Sequence, residues 1–380
     1  MNTNSDILSI FGEHDEGTLE QMWRCLGTGS AVKGVICADG HLGYAQPVGG
    51  VIAYEKHISV SGVGFDIGCG NMAVRLDLTY DDIWHRIPAL IKFIEKNISF
   101  GVGRNNSKPV DHVLFDSPLW KDGDVEHLRD MARYQLGTVG SGNHYVDLFR
   151  DREDYIWIGV HFGSRGLGHK TATQYLKRAG AKDGIHVAPC VLDEHSDLGE
   201  QYLRAMELAG MYAYAGREWV VKQIVNFLCA KTTVEVHNHH NYAWEENHDG
   251  NRYWVVRKGA TPAFPGQKGF IGGSMGDDAV IVEGVDSPRS RASLYSTVHG
   301  AGRLHSRTVC KKTFAQEDMD AWVKKAGVQL IGGGLDEAPM AYRRLKDVLA
   351  FHEGTIRITN VLTPFLVFMA GKQIRDPYRD

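Results

Sequence analysis

An α+β fold is what the sequence predicts, and three observations carry it. Short β-like runs are interspersed with helical stretches, without the regular strand–helix–strand rhythm of a parallel sheet. The composition, 43% hydrophobic and 23% charged over 380 residues, supports a sizeable buried core and argues against disorder. The 44 glycines form no low-complexity tract; they cluster in short loops that also hold histidine or aspartate. A backbone without Cβ can approach a ligand or turn tightly, so such loops point to a metal or phosphate site. No repeat or long linker divides the chain. One compact domain is expected over 1–380, with a helical insertion at about 165–230.

In chain order, VGGVIAY (48–54), NMAVRLDL (71–78), HYVDLF (144–149), YIWIGV (155–160), TTVEV (232–236) and YWVVR (253–257) read as strands. Some alternate and some are continuously apolar. Helices fit 81–96, 170–179, 316–326 and 336–350. The longest helical stretch is 197–231, where Gly210 or Gly216 is expected to introduce a kink.

The net charge of −4 excludes broad coating of nucleic acid, though not a local site that grips a few phosphates. The N-terminus shows no basic region followed by an apolar run, and no stretch reaches the ~18 apolar residues of a membrane span. The six cysteines are scattered without a C-x-x-C pair, so reduced thiols and a cytoplasmic location are expected, with no membrane partner.

Five clusters carry chemistry. In GVGFDIGCGN (62–71), Asp66 and Cys69 could ligate one metal or bridge two; a tight turn with a buried thiol is the plainer alternative. In GTVGSGNHYVD (137–147), Asn143 and His144 follow a glycine turn, and His144 taken alone reads as a structural residue. In VHFGSRGLGHK (160–170), His161 ends a strand, and Arg165 lies in a glycine loop that suits a phosphate or merely the surface. In VHNHHNY (236–242), His237 and His239 share one face of an extended segment, and His240 takes the other beside Asn241. Three histidines in four positions favour function over packing. In STVHGAGRLHSR (296–307), His299 precedes Gly300, Ala301 and Gly302, a backbone cradle for phosphate if a helix starts there. Arg303 and Arg307 would then share one helix face. Weaker segments are RKGATPA (257–263), with Arg257 and Lys258 in a turn, and GGSM (272–275), with Gly273, Ser274 and Met275. Imidazole and thiolate suit zinc, while carboxylate with open water positions suits manganese. The residues alone indicate one or two transition metals beside a phosphate-binding loop.

In this order, DGHLGYAQPVGG (39–50), DIGCGN, GSGNH, HFGSRGLGH, HHN, RKGA, GSM, HGAGR-x-x-SR and DEAPMAY (336–342) resemble the RtcB family of RNA ligases over most of the chain. The resemblance implies an RtcB-type fold, mixed sheets with flanking helices around a central metal cleft. It implies two Mn2+ ions bridged by Cys69, one completed by His161 and His240, the other by Asp66 and His144. His299 would attack the α-phosphate of GTP and hold GMP, which passes to an RNA 3′-phosphate before a 5′-hydroxyl displaces it; a 2′,3′-cyclic phosphate would be opened first. Asn143, His144, Tyr145, Asp147, His240, Asn241, Gly273, Ser274, Met275, His299, Gly300, Ala301, Gly302 and Tyr342 would contact the nucleotide. Arg165, Arg303 and Arg307 would hold RNA phosphates. The partners implied are RNA with 3′-phosphate and 5′-hydroxyl ends, GTP and an archease-type activator, in tRNA splicing or RNA repair. The K-x-D-G signature of lysine-based ligases is absent; its nearest look-alike, Cys37-Ala38-Asp39-Gly40, has cysteine at the lysine position.

Three positions depart from the family pattern. Asp147 stands where a base-facing Glu is usual, Ala279 where a serine is, and Ala370 where a C-terminal lysine is, with Lys372 two residues on. All three concern the base, so weakened guanine selectivity is expected. Two rival functions remain open: a metal-dependent RNA phosphatase or cyclic phosphodiesterase, and a non-catalytic RNA-end-binding protein. The intact HGAGR loop speaks against the first, and the complete ligand set against the second.

Overall fold

The computed structural model describes residues 7–371. The fold is α+β; besides two short strand pairs, Ala260–Pro262 with Ser296–Val298 and His57–Ser59 with Val191–Asp193, it is built on two main sheets. The smaller runs Leu8–Ile10, Ala31–His41, Val48–Tyr54, Asn251–Lys258, Asn241–His248, antiparallel except for its first pair. The larger runs Lys268–Ile271, Ala279–Gly284, Ile356–Gly371, Tyr145–Arg150, Tyr155–Phe162, Gly70–Thr79, Thr232–His239, antiparallel throughout. Gln329–Gly333 adds to it, parallel to Ile356–Gly371.

Each strand expected from the sequence forms. Two of those that were not foreseen have identifiable causes. Ile356–Gly371 carries Pro364, which removes a ladder donor and sits where the register shifts. Ala31–His41 contains two glycines and an aspartate, which blur its alternation.

The longest helix, Asp197–Leu228, is capped by Ser196, whose hydroxyl accepts from Gly199 N–H, and ends at Cys229 in the left-handed region. Val220, Val221, Ile224 and Leu228 pack against Val74 and Ile158 of the larger sheet, forming one of the main apolar cores. The helix is continuous through Gly210 and Gly216, and both glycines are closely packed. A Cβ at Gly210 would come within 2.8 Å of the Tyr242 ring, and one at Gly216 within 3.2 Å of Phe162.

Four local expectations are corrected. The helix over 336–350 is replaced by 3-10 turns at Leu335–Glu337 and Pro339–Ala341 and a short helix Leu345–Ala350, because Pro339 cannot continue a helix. The helix after His299 begins only at Arg307, capped by Ser306, so Arg303 lies in the preceding loop and the two arginines share no helix face. Arg257 and Lys258 end a strand rather than sit in a turn, and Arg165 opens the helix Arg165–Arg178. Among the described residues no helix is long and apolar enough to cross a membrane, and all six cysteines are free.

Candidate active site

Strand register brings the metal-type side chains together at one end of the larger sheet. Gly70 pairs with Phe162 on one side and His239 on the other, so Cys69, His161 and His240 meet where those ladders end. Tyr145 pairs with His161 from the next strand, which brings in His144. Cys69 Sγ lies 3.7 Å from both His144 Nε2 and His161 Nε2, and the ligand atoms of these three residues lie within 4.8 Å of one another. Asp66 Oδ2 is 3.0 Å from His144 Nε2. The His240 ring is 5.0 Å from that of His161 and 4.9 Å from that of His299. A Cβ at Gly163 would meet Asp66 Oδ1 at 2.3 Å, so only glycine lets this carboxylate reach the cluster.

The second nitrogen of His144 and of His161 is held. His144 Nδ1 lies 2.8 Å from the Val139 carbonyl, and His161 Nδ1 lies 2.5 Å from Asn71 Oδ1. Both oxygens accept, which places a proton on each Nδ1 and leaves Nε2 toward the thiol, the arrangement a metal-binding histidine needs. Burial, with neighbouring positive charge, holds His161 and His240 well below the ordinary imidazole range, so both are neutral donors. Burial raises Asp66, but its contact with His144 and the charge of nearby Arg165 outweigh this and hold it below the ordinary carboxylate range. Burial and the adjacent Asp66 push the Cys69 thiol up; a bound metal reverses that preference by stabilising thiolate. This donor set could hold a metal.

Beside the cluster, His299 meets a residue the motif reading did not single out. Its Nδ1 lies 2.6 Å from Asp39 Oδ2. The same oxygen accepts the backbone N–H groups of His299 and Gly300, at 3.0 and 3.3 Å. Part of the presumed phosphate cradle therefore binds a carboxylate of the protein itself. Gly302, at φ +76°, is required here: a Cβ would lie 2.5 Å from the Asp39 carbonyl oxygen. Asp39 is fully buried. Burial raises its pKa, but the charge and hydrogen bonds of His299 outweigh this and hold it below the ordinary carboxylate range.

Both features open into one cleft of about 890 Å³, large enough for a nucleotide. Asn143, Tyr145, Asp147, Asn241, Gly273, Ser274, Met275, Gly300, Ala301, Gly302 and Tyr342 all line it, as do Arg303 and Arg307. The two arginines converge on buried Glu337. Arg303 Nη1 donates to Glu337 Oε2 at 2.8 Å and to Tyr342 Oη at 2.8 Å, and Arg307 Nε donates to Glu337 Oε1 at 2.9 Å. Tyr342 completes the knot through a short bond to Glu337. Asn241 Oδ1 accepts from Gly259 N–H at 2.7 Å, and Ser274 donates to Asp277 at 2.9 Å. Lys258 also lines the cleft; it donates to the Tyr44 carbonyl at 2.5 Å, and burial lowers its pKa to about 8.

Arg165 is not among the cleft-lining residues. Its guanidinium packs behind the cluster, 3.4 Å from both Thr138 Oγ1 and His144 Nδ1. His237 and His239 do share a face, but it is the one turned away from the cleft, where both meet Arg217. Ala279 and Ala370 are buried in strands, and Lys372 lies outside the described residues. Asp39, Asn71, Glu337 and Arg217 were missed as functional candidates. Only Asp39 carried a usable signal, an Asp-Gly-His step closing a strand.

The cleft thus combines a donor set that could hold a metal with a buried Asp–His pair. A family profile described as tRNA-splicing ligase RtcB matches residues 26–370, and the chain belongs to that family. It is similar to the RNA-splicing ligase RtcB of Escherichia coli K12, 31% identical over 86% of this chain and 87% of that one. It is also similar to the tRNA-splicing ligase RtcB of Thermococcus kodakarensis, 31% identical over 85% and 84%. A third relative is the tRNA-splicing ligase RtcB of Methanococcus maripaludis, 29% identical over 82% of each.

Proposed function

We propose that the protein is an RNA ligase of splicing or repair. It joins a 3′-phosphate or 2′,3′-cyclic phosphate end to a 5′-hydroxyl end, using GTP and two Mn2+ ions, through GMP carried on His299. The observation that carries this reading is the Asp39–His299 pair set beside the Cys69–His144–His161 cluster in one cleft.

Asp39 is a buried acceptor, so it holds the His299 proton on Nδ1 and leaves the Nε2 lone pair free for attack. Attack on the α-phosphorus of GTP forms an N–P bond and breaks the bond to pyrophosphate. The positive charge that the ring acquires is balanced by the Asp39 carboxylate. An oxygen of the RNA 3′-phosphate then takes GMP, which returns His299 to the neutral form. The 5′-hydroxyl loses its proton as it attacks the activated 3′-phosphorus, and GMP leaves. A cyclic phosphate is first opened by water.

Asp66 and His144 on one side of Cys69, and His161 and His240 on the other, would hold the metal ions. Bound there, manganese supplies charge neutralisation and Lewis acidity beside the phosphates. Asn143, Asn241 and the loop at 300–302, which line the cleft, would contact phosphate and ribose oxygens, while Arg303 and Arg307, bonded to Glu337, would present their remaining donors to RNA phosphate. Tyr145, Asp147, Ser274 and Met275 form the base end. The guanine preference there is weakened by Asp147, Ala279 and Ala370; strict preference for GTP over ATP in self-labelling would contradict this.

Product analysis tests the function. RNA halves bearing 3′-phosphate and 5′-hydroxyl ends are incubated with protein, GTP and manganese, with and without an archease-type activator. Joined RNA is expected. Dephosphorylated RNA would indicate a phosphatase or phosphodiesterase, and unchanged RNA an end-binding protein.

A further inference from the structure

Arg217 is fully buried under the active-site end of the larger sheet, carried there by the helix Asp197–Leu228. Its polar contacts are two carbonyls and two imidazoles. Nη1 donates to the Gly68 carbonyl at 3.0 Å and to the Phe162 carbonyl at 2.5 Å. Nη2 lies 3.0 Å from His239 Nδ1, and Nε donates to His237 Nε2 at 2.8 Å. The Tyr214 ring lies 5.2 Å from the guanidinium carbon. Gly68 precedes Cys69, Phe162 follows His161, and His239 precedes His240. One side chain thus reaches a chain neighbour of three of the residues assigned above to metal binding, on three segments adjacent in the sheet.

Both ladders flanking Gly70–Thr79 end at Gly70, against Phe162 and His239; just beyond them the His240 N–H donates to the Cys69 carbonyl at 2.8 Å, and the guanidinium adds bonds to the chain beside all three ligands. We propose that Arg217 is the positioning residue of the metal centre, its planar fork fixing the backbone beside Cys69, His161 and His240 and so setting the spacing of three ligands. The inference rests on the metal site of the proposed ligase. Arg217 does not line the cleft, so it acts through these ligands rather than on substrate.

A buried cation is costly without a carboxylate in contact, and a neutral side chain would suffice merely to dock the helix on the sheet. The guanidinium supplies two things a neutral group lacks: five donors in a rigid plane, and a fixed positive charge behind a centre whose ligands include a carboxylate and a thiol. Lysine keeps the charge but not the fork, which makes the two contributions separable.

The test uses the full chain stripped of metal. Mn2+ binding is measured by calorimetry, and Co2+ is added as a spectroscopic probe of thiolate and imidazole coordination. Arg217→Met and Arg217→Lys are both expected to weaken Mn2+ binding by at least about 10-fold, the scale of lost support around metal ligands, and to shift the Co2+ absorption bands. A folded Arg217→Met with unchanged or tighter binding and the parent spectrum overturns the proposal, as does full rescue by lysine. Should Arg217→Met fail to fold, His237→Leu decides; it removes one anchor of the guanidinium and leaves each ligand and its neighbours in place. A shifted Co2+ spectrum with weaker binding supports the proposal, and parent behaviour overturns it. If the parent binds neither metal, the metal-centre reading itself falls. If the parent binds both and the variants match it, only the role of Arg217 falls.

Discussion

Two groups of cleft-lining residues, those proposed to bind metal and those proposed to meet the base, differ in how their polar atoms are paired. Among the residues proposed to bind metal, His144 and His161 are hydrogen-bonded to Val139 and Asn71, and beside them His299 Nδ1 is ion-paired with Asp39 Oδ2 at 2.6 Å. At the base end, buried polar atoms are left open. Asp147 Oδ1 and the Tyr145 hydroxyl have no hydrogen-bond partner among the described residues. A closed network fixes positions before substrate arrives, which suits bond-making chemistry. An open one leaves polar groups to be satisfied by whatever binds, which suits selection. The chemistry should therefore respond steeply to changes in the closed half, while changes in the open half should alter preference and stability.

Breaking the closed half at its buried acceptor has the largest expected effect. Asp39→Asn replaces an acceptor facing His299 Nδ1 with a group that can also donate, which favours the wrong tautomer. The rate of covalent labelling by GTP should drop by about 10³-fold or more, with metal content unchanged. Parent-like labelling would show that Asp39 does not set the tautomer. Cys69→Ala comes next. Removing a group 3.7 Å from two imidazoles should weaken Mn2+ binding beyond the 10- to 100-fold typical of outer partners, so about 100-fold or more by calorimetry. Retained affinity would remove Cys69 from the site.

The open half answers on a smaller scale. Asp147 is buried, and burial pushes its pKa well above the carboxylate range. Below about pH 4 the carboxyl is protonated in both folded and unfolded chains and costs nothing. As the pH rises above this, the unfolded chain ionises first, so stability is lost progressively up through the folded pKa. Asp147→Asn removes that loss. Its Tm should exceed the parent's by about 3 °C at pH 8 and match it near pH 4. Equal melting curves at both pH values would place an unseen partner on Asp147. The same variant should change the GTP-to-ATP labelling ratio by about 10-fold or less, and an unchanged ratio would take Asp147 out of base recognition.

The sequence exposed the metal end more fully than the groups that support it. Asp66 and Cys69, His144, His161 and His240 lie in short glycine-flanked motifs, and each motif lies at a strand end that periodicity locates. What closes the network is distant in sequence. Asp39 is 260 residues from His299, and Arg217 reaches Gly68 across 149 residues. No local pattern encodes either pairing. Glu337 was hidden differently: the stretch around it reads as a helix until Pro339 breaks it into turns, and only then does its carboxylate face Arg303 and Arg307. The arginines themselves were read as free for phosphate because a buried carboxylate thirty-odd residues away leaves no trace beside them. Both sheets were only partly legible, since Pro364 disguises a long strand at the heart of the larger one.

The central claim, that His299 carries the nucleotide, is tested most directly by self-labelling. The metal-loaded protein is incubated with α-labelled GTP and compared with His299→Ala of equal metal content. Acid-labile label on the parent, absent from the variant, is the predicted result. No label on a fully metal-loaded parent, or equal label on the variant, would contradict it.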